Sequence, residues 1–154
     1  MCGPRGMRRE LIRAVSKWRN QDKSRYDTVF LKSENREPGT ALDVARIRLF
    51  FSFKYFSVDY QCALVEDYML HGNGPDVDMG MRKVKCAIDF QTGHPISRVI
   101  TLQDILRAAH LIPVFHGTQN IPTHITADDS LDYYHDTPFY VNKFVDHHAF
   151  ETAF

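Results

Sequence analysis

The strongest constraint on the fold is a regular alternation of side chains between residues 44 and 53. Apolar side chains stand at every second position there, at Ala45, Ile47, Leu49, Phe51 and Phe53. This period of two predicts a β-strand with one apolar face, and with Arg46, Arg48 and Phe50 on the other face. An apolar face of this size has to be covered, so the chain is predicted to fold around a sheet.

Further segments carry the same signal. Residues 82–90 alternate in the same way, and residues 60–67 predict a strand with Cys62 and Leu64 on one face and Ala63 and Val65 on the other. A turn at 55–58 predicts that this strand pairs with 44–53 as an antiparallel hairpin. Residues 26–31 form a short strand-like run. Residues 98–115 predict a strand, one helical turn and a second strand, with Thr101 and Asp104 as a capping pair.

Two regions predict helix. In residues 7–19, apolar side chains recur at spacings of three and four, and basic residues occupy the rest of the surface. Residues 128–135 begin with an acidic cluster typical of a helix start, and 139–150 predict a closing helix or strand. The fold class is therefore β-rich α+β: a small twisted antiparallel sheet or partly open barrel, with a basic N-terminal helix and short C-terminal helical segments. A length of 154 residues suits one domain, placed at 25–151 after an extension at 1–24.

The charges balance, with 19 basic and 19 acidic residues, but they are unevenly distributed. The first 36 residues are basic and the last 31 are acidic. This asymmetry fits a nucleic-acid-facing end, and it equally fits two termini that attract each other. The three cysteines, Cys2, Cys62 and Cys86, lack the spacing of a zinc site. Cys62 and Cys86 lie in apolar runs, so buried thiols and an intracellular location are expected, nuclear if the protein meets DNA. No segment approaches the ~20 apolar residues of a membrane helix.

Catalytic patterns are not evident. The sequence has no HExxH, no Gly-x-Ser-x-Gly and no phosphate-binding loop, so no enzyme activity, cofactor or small-molecule substrate is expected. Asp76 and Asp78 fit an acidic turn. The densest candidate metal group is Asp146-His147-His148, whose neighbouring side chains diverge on either a helix or a strand. A metal-dependent hydrolase is accordingly the weakest hypothesis.

A DNA-binding surface is the alternative with the clearest physical basis. Arginines beside an aromatic on a sheet can neutralise phosphates and stack bases. Arg46 and Arg48 with Phe50 fit this description, and the basic N-terminal residues Arg8, Arg9, Arg13 and Lys17 would extend it. A solvated face paired with the acidic C-terminal segment explains the same residues.

Several motifs together resemble a known family. They lie at 25–29, 44–53, 60–66, 107–115, 130–132 and 139–151. In this order they resemble the C-terminal region of large proteins encoded by Plavaka-like DNA transposons of basidiomycete fungi. The resemblance implies that strand-transfer chemistry belongs to a nuclease domain upstream of this region. It further implies a non-catalytic accessory domain that contacts other segments of a transposase-like assembly. It assigns no catalytic residue, and the first ~24 residues fall outside it.

Overall fold

A computed structural model describes residues 10–18, 24–32, 43–115 and 137–152. Their strands are β1 (Ala14–Val15), β2 (Arg25–Tyr26), β3 (Thr28–Leu31), β4 (Asp43–Tyr55), β5 (Val58–His71), β6 (Lys83–Cys86), β7 (Ser97–Thr101), β8 (Ile105–Ala109), β9 (Leu111–Pro113) and β10 (Phe139–Val141). A 3₁₀ turn at Leu102–Asp104 joins β7 to β8, and one short helix, α1, spans His147–Thr152.

The main sheet is a nearly closed antiparallel barrel. Its strand order is β8-β3-β4-β5-β6-β10-β9, and β7 pairs separately with β5. Because only His110 separates β8 from β9, the two ends of this sheet are continuous in the chain. The predicted β-rich, antiparallel architecture is confirmed.

An inner core fills the barrel. It contains Phe30, Val44, Val84, Ala109, Phe139 and Val141, with Tyr68 and Leu111 packed against them. These residues come from β3, β4, β5, β6, β8, β9 and β10, so every strand of the ring contributes to it. Burial of this interior is a main source of stability.

A second, outer core lies on the reverse side of β3, β4 and β5. Its buried members are Val29, Leu31, Ala45, Ile47, Ala63, Val65 and Ile100. Ile12 and Ala14 from the N-terminal segment pack on it, as do Leu102 and Ile105 around the 3₁₀ turn. Consequently β3 and the start of β4 are buried on both faces, and all four residues of β3 are buried.

Several sequence-based strand predictions are confirmed. The hairpin around residues 55–58 pairs β4 with β5. Residues 98–115 form a strand, one helical turn and further strand, and the Asp104 carboxylate accepts hydrogen bonds from the Thr101 N–H (3.1 Å) and hydroxyl (2.8 Å). The strand predicted at 82–90 is shorter, ending at Cys86, with only an isolated bridge from Ile88 to Pro95.

The predicted N-terminal helix is wrong over its described part. Residues 10–18 contain no helix, and β1 pairs with β2 instead. The Asp27 carboxylate accepts the Arg13 N–H at 2.8 Å, which holds the segment extended. Ile12 and Ala14, two residues apart, both reach the outer core, so tertiary packing overrides the helical spacing.

Only one of the two C-terminal segments predicted to contain helix belongs to the described residues, and helix is short there. The segment predicted at 128–135 lies outside the described residues. In the segment predicted at 139–150, β10 comes first, and helix is limited to the six residues of α1. Pairing with β6 and β9 fixes β10 as a barrel strand, so helix is a minor element of the described chain.

The alternation in β4 is interrupted by a β-bulge. The pairing with β5 shifts between Ile47 and Leu49, which leaves Arg48 as an extra residue in β4. Because one extra residue reverses the facing of all that follow, Phe50 packs on the outer core while Leu49 points the other way and is 51% exposed. The prediction that residues 45–53 share one buried face is therefore wrong beyond Ile47.

Candidate interaction surface

The distal part of the β4–β5 hairpin extends beyond the strands that close the barrel. β3 pairs with β4 only as far as Arg46, and β6 pairs with β5 only from Tyr68 onward. We call residues 49–64 the arm. Among the described residues, β7 alone pairs with the arm from outside, at its base.

A two-residue turn closes the arm. Phe56 and Ser57 have φ angles of 44° and 62°, the left-handed conformation that matches the twist of paired strands. Asn and Gly adopt this conformation at low cost, whereas a bulky residue pays for it. A phenylalanine that is 83% exposed therefore occupies a strained position at the tip.

One face of the arm is apolar. Side chains directly opposite each other on paired strands share a face. The pairs Leu49–Leu64, Phe51–Cys62, Phe53–Tyr60 and Tyr55–Val58 therefore lie together, and Val99 of β7 lies beside Leu64. We call these nine residues the aromatic face. None of them is charged at neutral pH.

The aromatic face is ordered, and its distal part, which carries Phe53, Tyr55, Val58 and Tyr60, is open to solvent. The rings of Phe53 and Tyr60 stack with centroids 5.1 Å apart, and Phe51 continues the stack 6.3 Å from Phe53. Tyr55 meets Phe56 edge to face at 4.4 Å. Yet Tyr55 remains 59% exposed, and Val58 and Val99 are more than half exposed. Contiguous apolar surface of this kind marks interaction sites in soluble proteins.

The opposite face of the arm is polar toward the tip. Ser52 pairs with Gln61 and Lys54 with Asp59, and all four side chains are exposed. At the base, Phe50 and Ala63 belong to the outer core. The arm is therefore amphipathic. The face with Phe50 and Ala63 anchors its base to the outer core, and the aromatic face lies on the other side.

The arginines predicted to bind DNA are engaged inside the protein. The guanidinium groups of Arg46 and Arg48 lie over the ring of Tyr26, at 5.5 and 4.5 Å from its centroid. Arg46 is only 7% exposed, and the Arg48 Nε lies 3.3 Å from a Glu66 carboxylate oxygen. The bulge also places Phe50 on the outer core, so the predicted combination does not share one free face.

Two further arginines stack on Trp18, as Arg46 and Arg48 do on Tyr26. Trp18 is contacted by the guanidinium groups of Arg13 and Arg25, at 4.4 and 4.9 Å. The Nε of Arg25 also donates to Asp27 at 2.8 Å. Of the other predicted phosphate-binding residues, Lys17 is exposed, and Arg8 and Arg9 lie outside the described residues. In each stack one arginine also pairs with a carboxylate, Arg25 with Asp27 and Arg48 with Glu66.

Asp146, a weak candidate for a metal ligand in a chain predicted to bind no metal, forms contacts within the fold. Its two carboxylate oxygens accept hydrogen bonds from the Arg107 guanidinium at 3.0 and 2.7 Å, and this ion pair raises the pKa of Arg107. One oxygen also accepts the Ala149 N–H at 2.7 Å, which caps α1. His147 is exposed, and the His148 side chain lies outside the described set. No cluster of three His, Cys, Asp or Glu side chains suited to a metal occurs in the described part of the chain.

Asp76 organises the loop before β6. Its carboxylate accepts the backbone N–H groups of Asp78 and Met79, a salt bridge from Lys83 at 2.9 Å and the Tyr140 hydroxyl at 3.1 Å. The Lys83 hydrogen bond, followed by the Met79 N–H, lowers the pKa of Asp76 to about 2. The Asp76–Asp78 pair thus forms an acidic turn, fastened to β6 and β10.

The Asp76 carboxylate should make the free energy of unfolding depend on pH in the acidic range. Its pKa in the folded protein lies below the ordinary 3.8, so its stabilisation is complete above that value and is lost as pH falls through about 2. We expect Asp76→Asn to lower the free energy of unfolding at neutral pH, and the difference from wild type to vanish in acid. Urea denaturation between about pH 2 and 6 measures this. The exposed neighbour provides the control, since Asp78→Asn should show little effect; equal profiles for both variants would contradict the assignment.

The two cysteines in the described part of the chain lie in surroundings that do not favour a reactive thiolate, and Cys2 lies outside it. Cys62 is buried, Cys86 is half-buried, and neither is in a disulfide. Burial, followed by the nearby Glu66 charge, raises the pKa of the Cys86 thiol to about 11. At neutral pH that thiol stays protonated, whereas catalysis needs the thiolate.

Two open cavities accompany the barrel. One of about 390 Å³ lies against β2, β3 and the β8–β9 junction, and the other of about 480 Å³ lies against β5 and β6. The charged groups of the first include Arg25 with Asp27, and Glu10, which pairs with Arg107. Its Thr28 hydroxyl donates to the Ala109 carbonyl at 2.6 Å. These polar groups of the first cavity are therefore engaged in contacts within the fold.

Comparison with known proteins identifies no relative. No family model, curated protein or solved structure matches this chain. The described helix is far too short to cross a membrane. The resemblance to Plavaka-like transposon proteins therefore depends on the sequence motifs alone.

Sequence reasoning missed the aromatic face because it assigned Leu49, Phe51 and Phe53 to the core. One signal could have shown it. Strands β4 and β5 are 13 and 14 residues long, and in the sequence apolar side chains stand at every second position from Ala45 to Tyr55 and again from Val58 to Leu64. Strands of a small barrel are usually about half that length. The excess length predicts a projecting hairpin.

Proposed function

We propose that this chain is a non-catalytic, intracellular accessory domain of a transposon-derived fungal protein, and that it binds protein through the aromatic face of its arm. The observation that carries the proposal is the set of exposed rings, Phe53, Tyr55 and Tyr60, on one face of a hairpin that extends beyond the barrel. The family resemblance supplies the context of a transposase-like assembly.

The composition of the arm favours a protein partner. Aromatic residues are enriched at the centres of protein interfaces, and charged residues are depleted there. The arm has only Lys54 and Asp59 as charged residues near its tip, and they pair across its polar face. The strained backbone of Phe56 also supports a binding role for the arm, because residues in strained conformations cluster at functional sites.

DNA binding remains the competing function, with less support. A nucleic-acid surface needs basic groups free to reach phosphates. Arg46 is buried against Tyr26, and Arg25 and Arg48 pair with Asp27 and Glu66. Within the arm, Lys54 is the one basic residue, and the acidic Asp59 lies opposite it on the paired strand.

The test compares two variants of the whole chain. The arm variant carries Phe53→Ser, Tyr55→Ser and Phe56→Ser. The matched control is Phe90→Ser, since Phe90 is 98% exposed in a turn outside the arm. Each immobilised protein is incubated with a basidiomycete extract containing a differently tagged copy of the chain, and bound proteins are identified and then rebound in purified form.

Wild type and control should retain the same identified proteins, and the arm variant should retain them about tenfold more weakly. Retention should persist at high salt, because the contact is apolar. Identical retention by all three proteins would refute the proposal. Electrophoretic mobility shifts with duplex and single-stranded DNA test the competing function, DNA binding. Binding that weakens steeply with salt, and that is weaker in Arg48→Ala than in wild type, would favour DNA binding.

A further inference from the structure

The identity of the partner can be argued one step further, on the basis of the proposed function. We infer that the aromatic face binds the same face of a second copy of this chain, related by a two-fold axis. Such an interface is isologous, because each copy contributes the same patch.

Charge favours a second copy. Two identical surfaces repel each other when they carry net charge, since like charges are brought together. The nine residues of the aromatic face have none, and the whole chain balances 19 basic against 19 acidic residues. The charged pair Lys54–Asp59 lies on the opposite face of the arm and stays in solvent when the aromatic faces meet.

The exposed area fits a weak dimer. A whole aromatic side chain presents roughly 200 Å². At the exposures of Phe53, Tyr55 and Tyr60 in the aromatic face, and of Phe56 beside it at the turn, these four rings offer on the order of 450 Å². Leu49, Val58 and Val99, each about half exposed, add to this. A standard interface buries about 800 Å² per partner, so the patch approaches that size without exceeding it.

The geometry is that of sheet-on-sheet packing. Two apolar sheet faces pack about 10 Å apart with interdigitated side chains. The stack of Phe51, Phe53 and Tyr60 forms an ordered layer that a copy of itself can cover, ring against ring.

The test is sedimentation equilibrium of the full chain over a concentration series, with two single variants. Tyr55→Lys places a charge in the aromatic face. Ser52→Lys places the same charge on the same strand, but on the opposite, polar face. Both positions are exposed, so both variants should fold, which circular dichroism checks. We expect a concentration-dependent wild-type dimer, a dissociation constant raised about tenfold or more in Tyr55→Lys, and a change below about threefold in Ser52→Lys.

Three results would overturn the inference. A chain that stays monomeric at every concentration, while the arm still retains other proteins, excludes the second copy and leaves the proposed function standing. A dimer that Tyr55→Lys does not weaken places the contact elsewhere. A monomer whose arm also retains nothing removes both the inference and the proposed function.

Discussion

Replacing Phe30 by alanine should destabilise the protein by about 3–5 kcal/mol. The Phe30 side chain is 2% exposed and lies in the inner core, where residues from every strand of the ring meet. Its removal loses the transfer free energy of the ring and leaves a cavity that a closed barrel cannot easily collapse. Total stabilities of small domains are about 5–15 kcal/mol, so the loss is a large part of the whole.

The matched control is Phe90→Ala, the same change at an aromatic that is 98% exposed. It should alter the free energy of unfolding by no more than about 0.5 kcal/mol. Urea denaturation followed by circular dichroism measures both. Losses of similar size for the two variants would mean that Phe30 does not fill the barrel.

Removing the guanidinium of Arg107 should cost about 3 kcal/mol. Arg107 is 5% exposed, and besides Asp146 it binds the Glu10 carboxylate at 2.9 Å. It therefore connects β8 to the N-terminal segment and to the cap of α1. Arg107→Ala leaves two carboxylates without their cation and takes packing from beneath both segments.

Arg98→Ala is the control, because Arg98 forms a comparable ion pair with Asp67 at 2.8 Å on the surface. Exposed pairs of this kind contribute about 0–1 kcal/mol. Arg107→Lys should fall between the two, since an ammonium keeps the charge and cannot bridge a carboxylate with two parallel bonds. If high salt abolishes the difference between Arg107→Ala and wild type, the interaction is a screened surface contact and the prediction fails.

Much of the sheet could be predicted because strand periodicity is a local property. The alternation in β4 and β5, the turn between them and the capping pair before β8 are all encoded within a few neighbouring residues. The N-terminal segment shows the limit. Its apolar residues satisfy a helical spacing, but Ile12 and Ala14 satisfy an extended one as well, and their packing against the outer core decides between the two. No local pattern contains that information.

The candidate site was harder to predict for two physical reasons. The bulge at Arg48 has no sequence mark such as glycine, yet it turns Leu49, Phe51 and Phe53 out of the core. The stacking of Arg46 and Arg48 on Tyr26 joins residues twenty or more positions apart, so their availability to a ligand could not be judged from neighbours. In both cases a long-range contact decided which side chains remain accessible.

The closure of the barrel through His110 has a consequence for biosynthesis. β3 pairs with β8, so Thr28 cannot form its hydrogen bond until Ala109, 81 residues later, has been synthesised. β10, which lies between β6 and β9, is synthesised later still. At about 5–20 residues per second, a ribosome needs on the order of 5–20 s between Leu31 and Phe139. During that interval the growing polypeptide exposes apolar strands whose pairing partners have not yet been synthesised. Transiently exposed surface of this kind is what chaperones of nascent chains bind.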